Sequence, residues 1–254
     1  MNTQTVYIGI DDTDAPDYHI GTGRLTRDLA AEFAAKYSFI EHYSVLRHQL
    51  FLDERIPYTS HNSPAIITMD LPADKTVNLE NLADFFASGI KRIASPEASP
   101  GLCMIKAEDC DDNIQNFGIR AAHKVLEKTE AINTARGNCI LLELGGTGRG
   151  IIGALAATGL TAQGSCGRYL EVDGKLRGYD SPISVTALRQ LGLDVVLVDK
   201  KASPIHPGAM VMLENWPRPR RIGGRPVLFV EEGSIGMVPF DKKGKKENDE
   251  PGHD

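Results

Sequence analysis

The chain has 254 residues, 41% of them hydrophobic, and a formal net charge of -6, with a pI near 5.7. That length supports one large domain or two small ones with separate cores, and two small ones are expected. The acidic balance gives no overall attraction for nucleic acid, so RNA contact would need a local basic patch, and small-molecule chemistry is favoured.

Cys103, Cys110, Cys139 and Cys166 show no CxxC spacing, which excludes a zinc ribbon and argues for reduced thiols. Carboxylates come too early in MNTQTVYIGIDDTD for a secretory signal, and no stretch approaches the roughly 18 apolar residues of a membrane span. A soluble, cytoplasmic chain without membrane partners is expected, its oligomeric state left open.

Val6 to Ile10 is a short apolar run ending in carboxylates, and it reads as a buried strand. From Arg24 to Tyr37, Leu25, Leu29 and Phe33 recur at steps of four, the apolar stripe of a helix. FIEHYSVLRHQ reads as a strand, AIITMDL as a near-continuous apolar strand, LENLADFFASGIKRIA as an amphipathic helix and GLCMIKAE as a strand. Residues 112 to 128 carry Ile114, Phe117, Ala121 and Leu126 in looser helical spacing, a connecting helix. The order then restarts with CILLEL as a strand, GIIGALAATG as a short helix, and RYLEV and KLRGYD as strands around Asp173-Gly174, a tight-hairpin signal. SVTALRQLG is a helix and DVVLVD a strand.

The fold class is therefore α+β, with two βαββαβ ferredoxin-like units in tandem. A nucleotide- and metal-binding unit is expected over 1–110, the connecting helix over 111–137 and the second unit over 138–200. The proline-rich stretch 201–240, with AMVML and PVLFV, reads as a small β appendage, and 241–254 as a disordered tail. Gly21-Thr22-Gly23-Arg24 matches Gly146-Thr147-Gly148-Arg149 where the first helix of each half begins, as a duplicated pair of units would, although coincidence explains it too.

Asp11, Asp12 and Asp14 at the carboxyl end of a buried strand repel one another, and a divalent cation would relieve that repulsion. If the strand geometry persists, Asp12 and Asp14 share one face while Asp11 and Thr13 share the other, so two carboxylates could hold Mg²⁺ together with phosphate oxygens. The plainer alternative is an acidic turn capping the next helix. The loop APDYHIGTG delivers Gly21, Thr22, Gly23 and Arg24 to a helix start, where backbone N–H groups attract anions. Thr22 would touch metal or phosphate, accept a phosphoryl group, or simply cap the helix.

In LELGGTGRGIIGALAATG, the residues Gly146, Thr147, Gly148, Arg149 and Gly150 form a second glycine-rich helix start suited to anions. It is not a Walker A loop, since no Gly-Lys-Ser/Thr follows. Gly148, Gly150 and Gly153 satisfy GxGxxG with Glu171 at a ribose-binding distance, but an antiparallel hairpin after Glu171 contradicts a dinucleotide fold. Arg47, Thr59, His61 and Asn62, with His48, Pro57 and Ser60, lie on a polar connection placed to contact substrate, or are a solvated loop. Ser99-Pro100-Gly101 is a turn signal.

GIDDTD, the loop ending in Thr22, IPYTSHNSPA, SPGLCMI, FGIRAAHKVL and GTGRGIIGALAATG together resemble, across roughly residues 5 to 200, the archaeal isoleucine-tRNA 2-agmatinylcytidine synthetase family. The resemblance implies a kinase-like domain beside a ferredoxin-like domain, ATP and Mg²⁺ as cofactors with Asp11, Asp12 and Asp14 as the Mg²⁺-ATP carboxylates, and Thr22 at the threonine that the family phosphorylates. It departs at Gly21-Thr22-Gly23, where the family has Cys-Thr-Thr, and at Thr59-Ser60-His61-Asn62, where it has Thr-Arg-Gly-Asn. The family carries an OB-fold and a zinc ribbon after the core, and the roughly fifty residues after Asp199, with no cysteine among them, are expected to hold neither. The expected function is a Mg²⁺-ATP-dependent phosphotransferase or ligase-like enzyme, with Asp12, Asp14 and Thr22 catalytic and a small-molecule nucleotide as ligand. A non-catalytic nucleotide-binding regulator and a tRNA cytidine-modifying enzyme with a reduced RNA grip are the alternatives.

Overall fold

The computed structural model describes residues 3–40, 42–59, 61–72, 78–137, 139–179, 181–198, 204–233 and 236–240. The expected disordered tail and Ser60 lie outside the described residues. Strand β1 (Thr3–Asp11) is apolar on both faces because both are covered. Val6, Ile8 and Ile10 enter one apolar cluster, while Tyr7 enters another. Helix α1 (Thr22–Lys36), strands β2 (Tyr43–Arg47) and β3 (Ala65–Pro72), helix α2 (Leu79–Ile93) and strand β4 (Gly101–Lys106) come next, in the expected order. They form an antiparallel sheet in the order β4-β1-β3-β2, the split-βαβ arrangement. Leu25, Leu29 and Phe33 of α1 and Leu82, Phe86 and Ile90 of α2 pack on its first face.

The rest of the chain comprises α3 (Asp112–Ala121), α4 (Lys128–Ala135), β5 (Ile140–Glu143), α5 (Gly150–Ala162), β6 (Arg168–Val172), β7 (Ile183–Ser184), α6 (Val185–Gln190), β8 (Asp194–Leu197), β9 (Met210–Val211), β10 (Arg220–Ile222), β11 (Arg225–Gly233) and β12 (Gly236–Pro239). These elements do not build the expected second ferredoxin-like unit. Strand β5 adds beside β4 and β6 beside β2, extending the first sheet to β5-β4-β1-β3-β2-β6. Strand β7 pairs with β9, and β8 runs parallel to β11. The single connecting helix is likewise two, α3 and α4.

Helix α5 explains this departure. All its residues except Ile152 and Ala162 are buried, and a helix apolar all round needs cover on every side. Leaving Ile151, Leu155 and Leu160 on a solvent face would forgo roughly 5–9 kcal/mol, comparable with the about 5–15 kcal/mol that separates folded from unfolded domains. A ferredoxin-like unit covers its helices on one face only. Here α5 crosses the second face of the sheet, against Tyr7, Leu46, Ile66, Cys103 and Ile105, with Ile114 and Phe117 of α3 behind it. Meanwhile β5 and β6 satisfy the two edges that the first unit leaves unpaired.

Two turns settle the C-terminal strands. Asp173 and Gly174 adopt the positive φ of a tight turn, 51° and 71°, and the Lys175 amide donates to the Val172 carbonyl at 2.9 Å. Among the described residues 175–179 there is no returning strand, so the expected hairpin does not form there and β6 pairs with β2 and β10 instead. A tight hairpin does join β10 to β11 through Gly223 and Gly224, at φ 56° and 80°.

Gly9 fixes the distance between sheet and α5, because a Cβ there would lie 2.1 Å from the Ala154 carbonyl oxygen. That neighbour is helix backbone and cannot swing aside. Gly9→Ala is expected to lower stability by about 1–3 kcal/mol through overpacking, read from denaturant unfolding. A loss within about 0.5 kcal/mol, the scatter of surface substitutions, would contradict this packing.

Candidate functional site

Regular β1 pairing ends with Asp11 opposite Gly101. Asp12 then takes a left-handed backbone, φ 56°, which breaks the strand's alternation of faces. The expected separation of Asp12 and Asp14 from Asp11 therefore does not occur, and all three line one cavity of about 650 Å³. Thr13 turns inward instead and is fully buried, its carbonyl accepting from the Ser95 amide at 2.9 Å.

Around this corner the protein holds each carboxylate differently. The backbone N–H of Ser99 lies beside Asp12 and favours its charged form. Asp14 accepts from the Thr59 hydroxyl at 3.3 Å. Asp11 lies against α5 at Gly153, where a Cβ would come 1.8 Å from Oδ2. Gly153 thus makes room for the carboxylate, a more specific role than close helix packing. Burial pushes the Asp11 carboxyl up to about 8, with the Asp12 charge adding to it. Asp12 and Asp14 are raised as well, chiefly by burial.

Two helix starts open on the same cavity. Gly21 caps α1 and has no side chain to accept from the first-turn N–H groups. The capping role considered for Thr22 is therefore not the one it fills. Thr22 is the first helical residue, and its Oγ1 accepts from the Thr13 hydroxyl at 3.0 Å and the Thr13 amide at 3.4 Å. Both lone pairs are then engaged and its own proton is left to donate. At α5, Arg149 occupies the cap position without a side-chain cap, and the Gly150 amide donates to the Ser99 carbonyl at 3.1 Å.

Gly21, Thr22, Gly23, Arg47, Thr59, His61, Asn62, Thr147, Arg149 and Gly150 all line the cavity with the three aspartates. Arg24, Gly146 and Gly148 do not. Arg24 pairs with Asp28 on the exposed side of α1, at 3.8 Å, and the two glycines serve the turn before α5 at φ 52° and 71°. Asn62 donates to the Phe51 carbonyl at 2.7 Å and so shapes the wall. His48 is buried beneath α5, with Nε2 2.8 Å from Thr161 Oγ1, and burial drives its pKa down to about 3. Glu171 closes the turn after β6, Oε1 accepting from the Val172 and Leu176 amides at 2.9 Å, which removes it from any ribose-binding role.

Sequence reasoning missed Ser99 and Lys124 in the cavity wall. Ser99 Oγ accepts from the Thr147 amide and hydroxyl at 3.0 and 3.1 Å, and so ties the second glycine-rich loop to the loop that holds Asp12. Its sequence signal was a turn; Lys124 stood unmarked inside FGIRAAHKVL.

The donors suit a hard cation. They are carboxylate oxygens, crowded and raised in pKa by burial, which bound positive charge would offset. Among the described residues no three His, Cys, Asp or Glu side chains form a ready-made ligand cluster. Among the described residues no helix is long and apolar enough to cross a membrane.

No protein-family model matches the chain. It is 28% identical over 155 residues to the isoleucine-tRNA 2-agmatinylcytidine synthetase TiaS of Thermococcus sibiricus and 29% identical over 161 residues to that of Pyrococcus horikoshii. Each match covers 61% of this chain and 35% of the relative, so the chain spans about a third of the length of these relatives. Similar solved structures include TiaS in complex with its isoleucine tRNA and ATP, 23% identical with a TM-score of 0.47, and apo TiaS, 26% identical with a TM-score of 0.47. Each covers 61% of this chain, with 36% and 35% of the respective TiaS chain. The similarity to this synthetase family read from the motifs is thus found in the curated relatives, over a partial core.

Asp11 makes the protein pH-sensitive in a fixed direction. Between the ordinary aspartate value of 3.8 and about 8, the folded chain keeps a proton that the unfolded chain has released. Stability is therefore fully present below that window and is lost as pH rises through it. Asp11→Asn is expected to flatten this decline in a series of thermal unfolding curves without added metal. An unchanged slope would show that Asp11 does not carry the effect.

Proposed function

We propose that the cavity binds ATP with Mg²⁺ and activates an acceptor for group transfer, in an enzyme related to the agmatinylcytidine synthetases. The observation that carries this reading is the convergence of three half-buried carboxylates and two helix starts without side-chain caps on one cavity of about 650 Å³. Such helix starts attract phosphate, and the volume lies within the range of small-molecule sites. One or two of Asp11, Asp12 and Asp14 would hold Mg²⁺, which would supply neutralisation of charge on the phosphoryl oxygens.

The protein's own part is positioning. The Gly23 amide, with Arg149 and Lys124, offers a donor and positive charge to phosphate oxygens. Arg47, Thr59, His61 and Asn62 bound the part of the cavity where an acceptor would sit. Thr22 carries a hydroxyl whose proton is available to donate, either to a phosphate oxygen or on accepting a phosphoryl group. The curated relatives are named for a tRNA modification, which makes a nucleotide of RNA the acceptor favoured here.

Isothermal titration with ATP and Mg²⁺ tests the reading. Binding is expected, weakened about tenfold or more by Asp12→Asn, a loss of about 1.4 kcal/mol. Mass spectrometry of the nucleotide products and of Thr22 is expected to show turnover. Binding without any product would favour a nucleotide sensor, and no binding would overturn the proposal.

A further inference from the structure

Two thiols meet away from the candidate site. The Cys103 thiol of β4 donates to Cys139 Sγ at 3.7 Å, and neither cysteine lines the cavity. Cys103 is opposite Leu141 of β5 in the ladder, and Cys139 comes two residues earlier, so all three side chains join the cluster on the second face of the sheet. Cys103 is fully buried beneath α5, its Sγ also 3.9 Å from Thr158 Oγ1, whereas Cys139 is half-buried just ahead of β5. A buried thiol thus stands behind a reachable one. A bond between two sulfurs is about 2 Å long, so each would travel less than about 1 Å to form it.

The other two cysteines are held as thiols. Cys110 Sγ donates to the Thr158 carbonyl at 3.9 Å and Cys166 Sγ to the Leu160 carbonyl at 3.0 Å. Burial pushes Cys110 up to about 12 and raises Cys166 as well. Cys139 also reaches a carbonyl, that of Ala135 at 3.8 Å. Its shift is nonetheless downward, because the Cys103 proton stabilises its thiolate.

We propose that Cys103 and Cys139 form an oxidisable dithiol, in which Cys139 takes a peroxide and Cys103 closes a reversible disulfide onto it. The Cys139 thiolate attacks the peroxide, an S–O bond forms as the O–O bond breaks, and the departing hydroxide takes up the proton that the thiol gave up. The Cys103 sulfur then displaces the remaining oxygen. The S–S bond forms, the S–O bond breaks, and the Cys103 proton leaves with that oxygen as a second water. Two sulfurs lose two electrons between them, and one peroxide is reduced to two waters. The closed loop contains α3 and α4, so the bond would tie the layer that covers α5 to the sheet. Transient disulfides of this kind suit a chain whose thiols are otherwise reduced.

The test uses the full chain, reduced and freed of reductant, with hydrogen peroxide as the probe. Mass spectrometry of the intact chain is expected to show the loss of two hydrogens, and peptide mapping after thiol blocking to place the link between Cys103 and Cys139. Dithiothreitol should restore both thiols. Cys103→Ser is expected to stop at a sulfenic acid on Cys139, trapped by dimedone, while Cys110→Ser and Cys166→Ser still close the link. Cys139→Ser, at the half-buried position, should give neither the link nor a dimedone adduct on Cys103. The oxidised wild-type chain should melt about 5–10 °C above the reduced one, since the bond closes a long loop of the unfolded chain. Oxidation of Cys110 or Cys166 before the pair, a link between two chains, or a melting temperature lowered by oxidation overturns the dithiol.

Discussion

Helix α5 cannot lie on a surface. With buried residues on every side, it needs a sheet beneath it and helices above it, and the rest of the molecule is arranged to supply both. Its small residues bring it to contact distance with β1 at Gly9 and with α3 at Gly159, where a Cβ would lie 2.1 Å from the Ile114 carbonyl oxygen. Close contact at both levels ties the end of β1 to the start of α5. The candidate site lies at that junction, so the position of its carboxylates is a consequence of how the core is packed.

The junction concentrates opposed electrostatic demands. Burial raises the pKa values of all three aspartates and repulsion adds to it at Asp11 and Asp12, while two helix starts without side-chain caps open on the same space. A carboxylate cluster alone would favour a cation, and helix starts alone an anion. Together they suit a ligand that brings both charges, as a metal-bound polyphosphate does. Ser99 and the Thr13–Thr22 pair hold this arrangement through hydrogen bonds, so neither loop depends on ligand to find its place.

The chain matches about a third of the length of its curated relatives. Beyond β6 the described residues add one helix and six further strands, most of them short. The pairing of β6 with β2 on one side and with β10 on the other joins these strands to the core sheet.

Much of this was legible in the residues themselves. Leu25, Leu29 and Phe33 marked α1, the apolar run AIITMDL marked a strand covered on both faces, and the first βαββαβ order holds as read. The carboxylates, Thr22 and the second glycine-rich loop were also visible, because chemistry-bearing residues cluster locally in sequence. The sequence alone could not say which strand pairs with which. The repeated βαββαβ pattern suggested a second closed unit, yet β5 and β6 were better used on the open edges of the first sheet, and α5 on its bare face. Nor could alternation along β1 place Asp11, Asp12 and Asp14, since one residue at positive φ reverses every face beyond it. Local periodicity reports which face of an element is apolar. What covers that face, and which side chains then meet, is settled by contacts between residues far apart in the chain, and those exist only once the whole has packed.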